Sequence, residues 1–322
     1  MLSVNERAAA LFAGMEAAAE ALEVSVTRLA NGAAVLDAGV ETVGSLEAGR
    51  LFAEVCLGGL GSVRFGAVEA DGLDLPAVTV DVRHPVTACM AAQYAGWAVN
   101  VAATETTKKY FAMGSGPARA LYAGEPLYEE LEYRDPGATA AVLALESRTL
   151  PTEAVADWVA HKCGLPADRV FLLVAPTASL VGSVQIAARI VETGLHKMHE
   201  VGFDLGAVRS GFGVCPLAPV AADDVTAIGR TNDGVLYGGR AWYTVEAEDA
   251  ALEAVIGALP SSASRDYGVP FAELFARYEG DFYKIDPLLF SPAAVTITNR
   301  RSGRTFCAGG VNPAVLRRSF VA

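Results

Sequence analysis

Residues 179–198 read SLVGSVQIAARIVETGLHKM, and the short loop 176–178 separates them from the apolar run VFLLVA at 170–175. Apolar side chains cover most of the circumference of a helix drawn through 179–198, a pattern typical of a buried helix. One polar stripe crosses this surface at i, i+4, i+7 and i+11: Gln185, Arg189, Glu192 and His196. The sequence therefore predicts a buried strand followed by one long helix over about 179–199, whose stripe needs water or a polar cavity beside it.

The pair Arg189 and Glu192 within this stripe has two interpretations. At i, i+3 the two side chains form an ordinary ion pair on an exposed edge, worth a few tenths of a kcal/mol. Alternatively they line a cleft, where Arg189 fixes the charge state of Glu192 and the carboxylate acts as a base on water. Helical projection alone favours the surface pair and leaves both open.

The loop that joins the strand to this helix carries two hydroxyl side chains, Thr177 and Ser179. Backbone N–H groups at a helix start have no partner within the helix and can face a ligand. Simple capping of the helix by one of the hydroxyls explains their presence equally well. The sequence leaves a ligand-facing edge and a cap as alternatives.

Outward from this stretch, helices and strands alternate. Asn31-Gly32 predicts a hairpin turn between 24–29 and 33–36. Strands are predicted at 138–145, 241–245, 294–298 and 305–308, and a helix at 151–163. Hairpins mixed with strand–helix units favour a mixed α/β (α+β) class, in two intertwined lobes, over one doubly wound sheet.

Composition narrows the class of partner. The chain has 322 residues, 52% of them hydrophobic, and a formal net charge of −12. That charge argues against nucleic acid and anionic membranes as main partners, because both attract clustered Lys and Arg. We expect no targeting or membrane segment, and five widely spaced cysteines without Cys-x-x-Cys favour reduced thiols in a cytoplasmic protein.

Two further motifs suggest cofactors weakly. Residues 114–119 (GSGPAR) begin like a dinucleotide-binding loop, but Arg119 replaces the third small residue and Pro117 intrudes. A tight loop with Pro117 starting a helix is the better interpretation. His196 and His199 at i, i+3 do not form a recognised metal-binding spacing, so no metal is expected.

Many short motifs, in order along nearly the whole chain, resemble one family, methenyltetrahydromethanopterin cyclohydrolase. None is specific by itself. They are LSVN at 2–5, CLGGL at 56–60, HP at 84–85, Gln93 with AGW at 95–97, YFAMGSGPARA at 110–120, APTAS at 175–179, GSVQ at 182–185, RIVE at 189–192, TND at 231–233, YG at 267–268 and FYKIDP at 282–287.

The resemblance implies reversible hydrolysis of a methenyl bridge to a formyl group on a pterin carrier, without metal or redox cofactor. It implies two lobes with the active-site pocket between them, in a homotrimer. Its catalytic Arg and Glu match Arg189 and Glu192. The residues expected to contact the pterin substrate are Gln93, Tyr94, Ala95, Ser115, Gly116, Thr177, Ser179 and Gln185.

This chain departs from the archaeal members that it resembles in two respects. They carry Lys near the position of Tyr94, and the stretch 102–108 is longer here. A bacterial member with a dephosphorylated carrier is one expectation. The alternatives are a non-catalytic pterin- or nucleotide-binding protein, and an NAD-dependent oxidoreductase using the 114–119 loop.

Overall fold

A computed structural model describes residues 2–103, 108–281 and 284–321. The longer stretch expected at 102–108 and the motif at 282–287 therefore lie partly outside the described residues. The α-helices are α1 Val4–Ala17, α2 Ala19–Leu22, α3 Leu46–Cys56, α4 Ala118–Tyr122, α5 Glu153–Cys163, α6 Leu180–Ala187, α7 Ile190–Glu200, α8 Asp224–Asp233, α9 Asp249–Val255, α10 Phe271–Arg277 and α11 Pro313–Phe320.

The strands are β1 Ser25–Arg28, β2 Ala34–Asp37, β3 Gly61–Ala70, β4 Leu73–Val82, β5 Trp97–Val101, β6 Tyr110–Ser115, β7 Ala141–Glu146, β8 Val170–Ala175, β9 Val208–Pro216, β10 Arg240–Val245, β11 Ala294–Asn299 and β12 Thr305–Gly309. Two π-helical segments, Val86–Gln93 and Gly234–Gly238, join them. The mixed α/β class is confirmed. The predicted strands are all present within a few residues, and helix 151–163 begins at Glu153.

The chain divides into two compact units. Unit 1 contains Met1–Gly61 and Thr87–Gln185, and unit 2 contains Ser62–Val86 and Ile186–Ala322. Each unit therefore combines segments that are distant in sequence.

Unit 1 is built on a six-stranded sheet in the order β1-β2-β8-β7-β6-β5. The predicted hairpin is confirmed, since β1 and β2 pair antiparallel across Asn31-Gly32. The central strands β2, β8 and β7 are parallel. Successive residues of β7 alternate between two cores: Leu143 packs with α5, and Val142 packs with α1 and α3. Burial on both faces explains why 140–145 is a continuous apolar run.

Unit 2 is built on a second six-stranded sheet, in the order β12-β11-β10-β9-β4-β3. Its β10 and β11 are parallel, whereas β9 pairs antiparallel with both β10 and β4. A separate apolar cluster joins the π-helical segment Gly234–Gly238, α10 and α11 through Leu236, Phe271 and Leu316.

No helix among the residues that the structure describes is both long and apolar enough to cross a membrane. All five cysteines are free thiols, four of them buried and Cys307 exposed. Burial raises the pKa of Cys163 to about 12, so this thiol stays protonated at neutral pH.

The N-terminal motif LSVN forms a buried polar network in unit 1. Asn5 donates from its side-chain amide to Pro117 O at 2.9 Å and to the Asp135 carboxylate at 2.9 Å. Its side-chain oxygen accepts from the Val142 N–H at 3.1 Å. Ser3 donates to the same Asp135 carboxylate at 2.8 Å. One side chain therefore ties α1 to β7 and to the start of α4.

We expect Asn5→Ala to lower the free energy of unfolding by about 3 kcal/mol, because it leaves several buried polar groups without partners. Thermal or denaturant unfolding measures the loss. Asn100→Ala, on the exposed side of β5, is the control and should change stability little. Equal effects of the two variants would contradict a structural role for the network.

A buried carboxyl group in unit 2 makes stability depend on pH. Asp233 is 0% exposed and accepts from the Phe271 N–H at 2.8 Å. Burial raises its pKa to about 7, and the hydrogen bonds from Ser319 and Phe271 offset only part of that effect. The folded state therefore holds a proton that the unfolded chain releases near its ordinary pKa, and the stabilisation is lost as pH rises through about 7.

Between pH 6 and pH 8 the wild type should lose about 1 kcal/mol of stability relative to Asp233→Asn, which cannot ionise. Unfolding titrations of both proteins across this range test the difference. Asp81→Asn, an exposed carboxylate of the same unit, is the matched control and should follow the wild type. A constant gap between wild type and Asp233→Asn would show that Asp233 does not titrate in this window.

Candidate active site

The helix predicted over 179–199 is wrong as a single element. Helix α6 ends at Ala187 and α7 begins at Ile190, with Arg189 at its N-cap in a non-helical conformation (φ −78°, ψ 2°). The stripe is therefore interrupted: Gln185 belongs to α6, whereas Glu192 and His196 belong to α7. Neither Gly nor Pro marks the break.

The break follows from two different packing surfaces. Helix α6 lies against α3, where a Cβ added to Gly49 would come within 2.7 Å of Val184 Cβ. Helix α7 lies against β9, where a Cβ added to Gly213 would come within 2.4 Å of Ile190 Cγ2. Close packing of this kind leaves little freedom in helix direction, so each helix follows its own surface.

Glu192 lies in the first turn of α7 and is only 6% exposed. Negative charge is favoured at this end of a helix by the backbone dipole. Arg189 precedes it by one turn and is half-buried. The burial of Glu192 is inconsistent with an exposed ion pair. That the two side chains line a cleft stays a prediction.

Two neighbours on α7 have lowered pKa values. Partial burial lowers the pKa of His196, and Glu200, 3.6 Å away, opposes the effect. Lys197 is fully buried and donates from Nζ to Leu288 O. Burial lowers its pKa to about 8. Lys197 was not identified from sequence, because a lysine on a helix is normally exposed.

The expected substrate segment Gln93–Ala95 leaves the core directly after the π-helical segment Val86–Gln93. Gln93 is buried, and Tyr94 and Ala95 are half-buried. Carbonyls at a helix end need partners from elsewhere. The Arg119 guanidinium donates to Met90 O (3.0 Å) and Ala92 O (3.1 Å), and the Gly116 N–H also donates to Ala92 O (2.8 Å). The Tyr128 hydroxyl donates to Ala91 O, and the Ser115 hydroxyl donates to Gln93 O.

Ser115 and Gly116 are thus brought together with Gln93: Ser115 holds the Gln93 carbonyl, and Gly116 holds that of the preceding Ala92. The Gly116 N–H is engaged by Ala92 O, so it does not form the open anion-binding turn of a dinucleotide loop. Gly114 and Ser115 end strand β6, and Pro117 precedes the five-residue helix α4, as the tight-loop interpretation predicts.

The hydroxyls of the 176–179 loop are engaged within unit 1. Thr177 donates to the Glu146 carboxylate. Ser179 donates to Pro176 O at 2.7 Å and accepts from the Gly182 N–H at 2.9 Å, which is the capping interpretation. Gln185 is buried on α6. Contact of these three residues with a substrate stays a prediction.

The candidate residues divide between the two units. Arg189 and Glu192 belong to unit 2, and the eight expected substrate-binding residues belong to unit 1. Within the described part of the chain, no group of three or more His, Cys, Asp and Glu side chains is arranged to hold a metal ion. Sequence reasoning missed Tyr128, which donates to Ala91 O, and Glu125, which pairs with Arg119; neither belongs to a motif quoted above.

Comparison with known proteins covers nearly the whole chain. A family model described as Cyclohydrolase (MCH) matches residues 3–320. The methenyltetrahydromethanopterin cyclohydrolase of Methanocaldococcus jannaschii is 48% identical over 326 residues, covering 99% of this chain and 98% of that protein. The proteins of that name from Methanococcoides burtonii (43%; 99% and 98% covered) and Methylobacterium nodulans (46%; 99% and 97%) are similar too.

We expect Gly194→Ala to weaken the packing of α7. A Cβ at Gly194 would come within 2.1 Å of Tyr243 Oη, which donates to Val191 O at 2.8 Å. Overpacking of this kind costs about 2 kcal/mol of stability. Thermal unfolding measures it, with Gly14→Ala on α1 as control, since a Cβ there meets nothing within 4 Å. A neutral Gly194→Ala would show that α7 is not held by this contact.

Proposed function

The chain belongs to the methenyltetrahydromethanopterin cyclohydrolase family, and on that premise we propose that it hydrolyses the methenyl bridge of a tetrahydromethanopterin-type carrier to the 5-formyl derivative. The observation that carries the proposal is similarity over residues 3–320 together with 43–48% identity to proteins that bear this name. The reaction is a reversible hydrolysis of a cyclic amidine C–N bond in one-carbon metabolism. Neither non-catalytic binding nor NAD-dependent oxidation is favoured by family membership.

The substrate's chemistry sets what the protein must supply. A methenyl bridge is an amidinium-like cation, so its carbon is already electrophilic and needs no Lewis acid. Hydrolysis requires a positioned water and a base for its proton. We propose that no metal or cofactor takes part.

Glu192 is the proposed base. Its carboxylate takes a proton from the water as the water oxygen bonds to the methenyl carbon. The C–N bond to the second nitrogen then breaks as that nitrogen receives a proton and the hydroxyl of the adduct loses its own. The carbon remains on the first nitrogen as a formyl group, and one proton is released to solvent overall. Arg189 orients the carboxylate and the water and hydrogen-bonds the formyl oxygen as it forms.

The proposed substrate surface is the segment Gln93–Ala95, extended by Ser115 and Gly116 and by Thr177, Ser179 and Gln185. Support comes from the match of these positions to the family pattern and from the partial exposure of Tyr94 and Ala95. The carrier is tetrahydromethanopterin or its dephosphorylated form. We also propose that the protein is a cytoplasmic homotrimer that binds neither nucleic acid nor membranes.

Purified protein should accelerate the loss of methenyl-carrier absorbance, and Glu192→Gln should lower kcat by at least about a hundredfold while KM changes little. The amide keeps the shape of the side chain but cannot accept the proton. Glu200→Gln, at the other end of α7, is the matched control and should retain activity.

Two outcomes would contradict the proposal separately. Wild-type protein that leaves the uncatalysed rate unchanged would exclude the cyclohydrolase function. Wild-type activity that survives in Glu192→Gln would keep the function and exclude Glu192 as the base.

A further inference from the structure

Arg119 is a charged residue with no exposed surface at all, at 0%. It lies on α4, and none of the steps described above uses it. Burying an ion is costly unless partners satisfy it, so its surroundings indicate what it is retained for.

The guanidinium is fully engaged on two sides. Its Nε and Nη2 donate to the two carboxylate oxygens of Glu125 at 2.8 Å and 2.6 Å, a bidentate ion pair. Its Nη1 donates to Met90 O and Ala92 O. Burial alone would lower the pKa of Arg119, but interactions with Tyr128 and Glu125 outweigh it and raise the pKa. The group is therefore a permanent buried cation.

Two aromatic rings pack against this cation. The Arg119 guanidinium carbon lies 5.1 Å from the centre of the Tyr94 ring and 5.6 Å from that of Tyr128, both within cation–π range. A Cβ added to Gly96 would come within 2.0 Å of Glu125 Oε2 and 2.8 Å of Tyr94 Cε1. Tyr94, Gly96 and Glu125 are thus packed in close contact around the guanidinium.

These contacts converge on one stretch of chain. The two carbonyls that Arg119 holds precede Gln93, and the ring that it supports is that of Tyr94. The half-buried stretch Tyr94–Gly96 is where the chain emerges from the core. Arg119 therefore links the end of the buried helical segment to the ring of the first residue that emerges from the core.

We propose that Arg119 and Glu125 form a positioning pair for the substrate: they fix the plane of the Tyr94 ring, directly after Gln93, so that this segment meets the flat pterin ring of the carrier in one preformed geometry. The inference rests on the proposed function and deepens it. Arg119 acts through Tyr94, and a preformed surface lowers the cost of ordering that segment on binding.

The test compares two chemically identical changes. Glu125→Gln should raise KM for the methenyl carrier about tenfold and change kcat less than about threefold, because the segment loses its orientation while the base is untouched. The control is Glu54→Gln: its side chain is 14% exposed against 11% for Glu125, and it also pairs with an arginine, Arg50, at 2.8 Å. The control should leave both constants near wild type.

A double-mutant cycle separates positioning from general stability. Tyr94→Leu should itself raise KM, and Glu125→Gln added to it should raise KM less than about twofold further, since the ring through which the pair acts is gone. Melting temperatures of all variants show whether a change in KM results only from a less stable protein. An undiminished effect of Glu125→Gln in the Tyr94→Leu background overturns the inference.

A second variant covers failure of Glu125→Gln to fold. Gly96→Ala removes no charge, pushes on both the Glu125 carboxylate and the Tyr94 ring, and should also raise KM about tenfold. Its control is Gly137→Ala, where a Cβ meets nothing within 4 Å. A wild-type KM in Gly96→Ala, or a Glu125→Gln variant that behaves as Glu54→Gln does, overturns the positioning role while wild-type turnover keeps the function. A wild type without turnover removes both.

Discussion

The end of a buried helical segment is the constraint around which unit 1 is organised. The segment Val86–Gln93 stops inside the protein, so its last carbonyls cannot bond to water. Their partners come from the β6–α4 connection and from Tyr128, far along the chain. The stretch 114–119, which begins like a dinucleotide-binding loop, therefore supplies hydrogen-bond donors to the end of this helical segment. The residues that follow that end are held by several of these contacts.

The same requirement, that buried polar groups have hydrogen-bond partners, explains the N-terminal network. Asn5 joins three separate parts of unit 1 with one amide, and the Asp135 carboxylate is satisfied by Ser3 and Asn5. A buried polar network of this kind destabilises the fold when a hydrogen-bond partner is missing. It favours one specific structure when every group has a partner. Short motifs such as LSVN can therefore identify a family for structural reasons.

In unit 2, close packing holds helix α7 in place. Small residues on β9 and on α7 allow helix and sheet to approach closely, and the Tyr243 hydroxyl fixes the helix through Val191 O. Glu192 is thereby kept in a buried first turn where negative charge is favoured. Two groups nearby in sequence, the buried Lys197 and the half-buried His196, have pKa values that burial lowers.

The sequence by itself determined the mixed class, the hairpin at Asn31-Gly32, the positions of the buried strands and the family, because these depend on local periodicity and on the order of short motifs. It could not determine that the helix breaks at Arg189, since no local signal marks the break and the cause is packing on two different surfaces. Nor could it determine that Glu192 is buried and Arg189 half-buried, because helical projection gives a face but not what covers it. Only the tertiary structure placed Arg119 and Glu125 beside Tyr94, because that contact joins residues whose common neighbour, the end of a π-helix, is created by the fold.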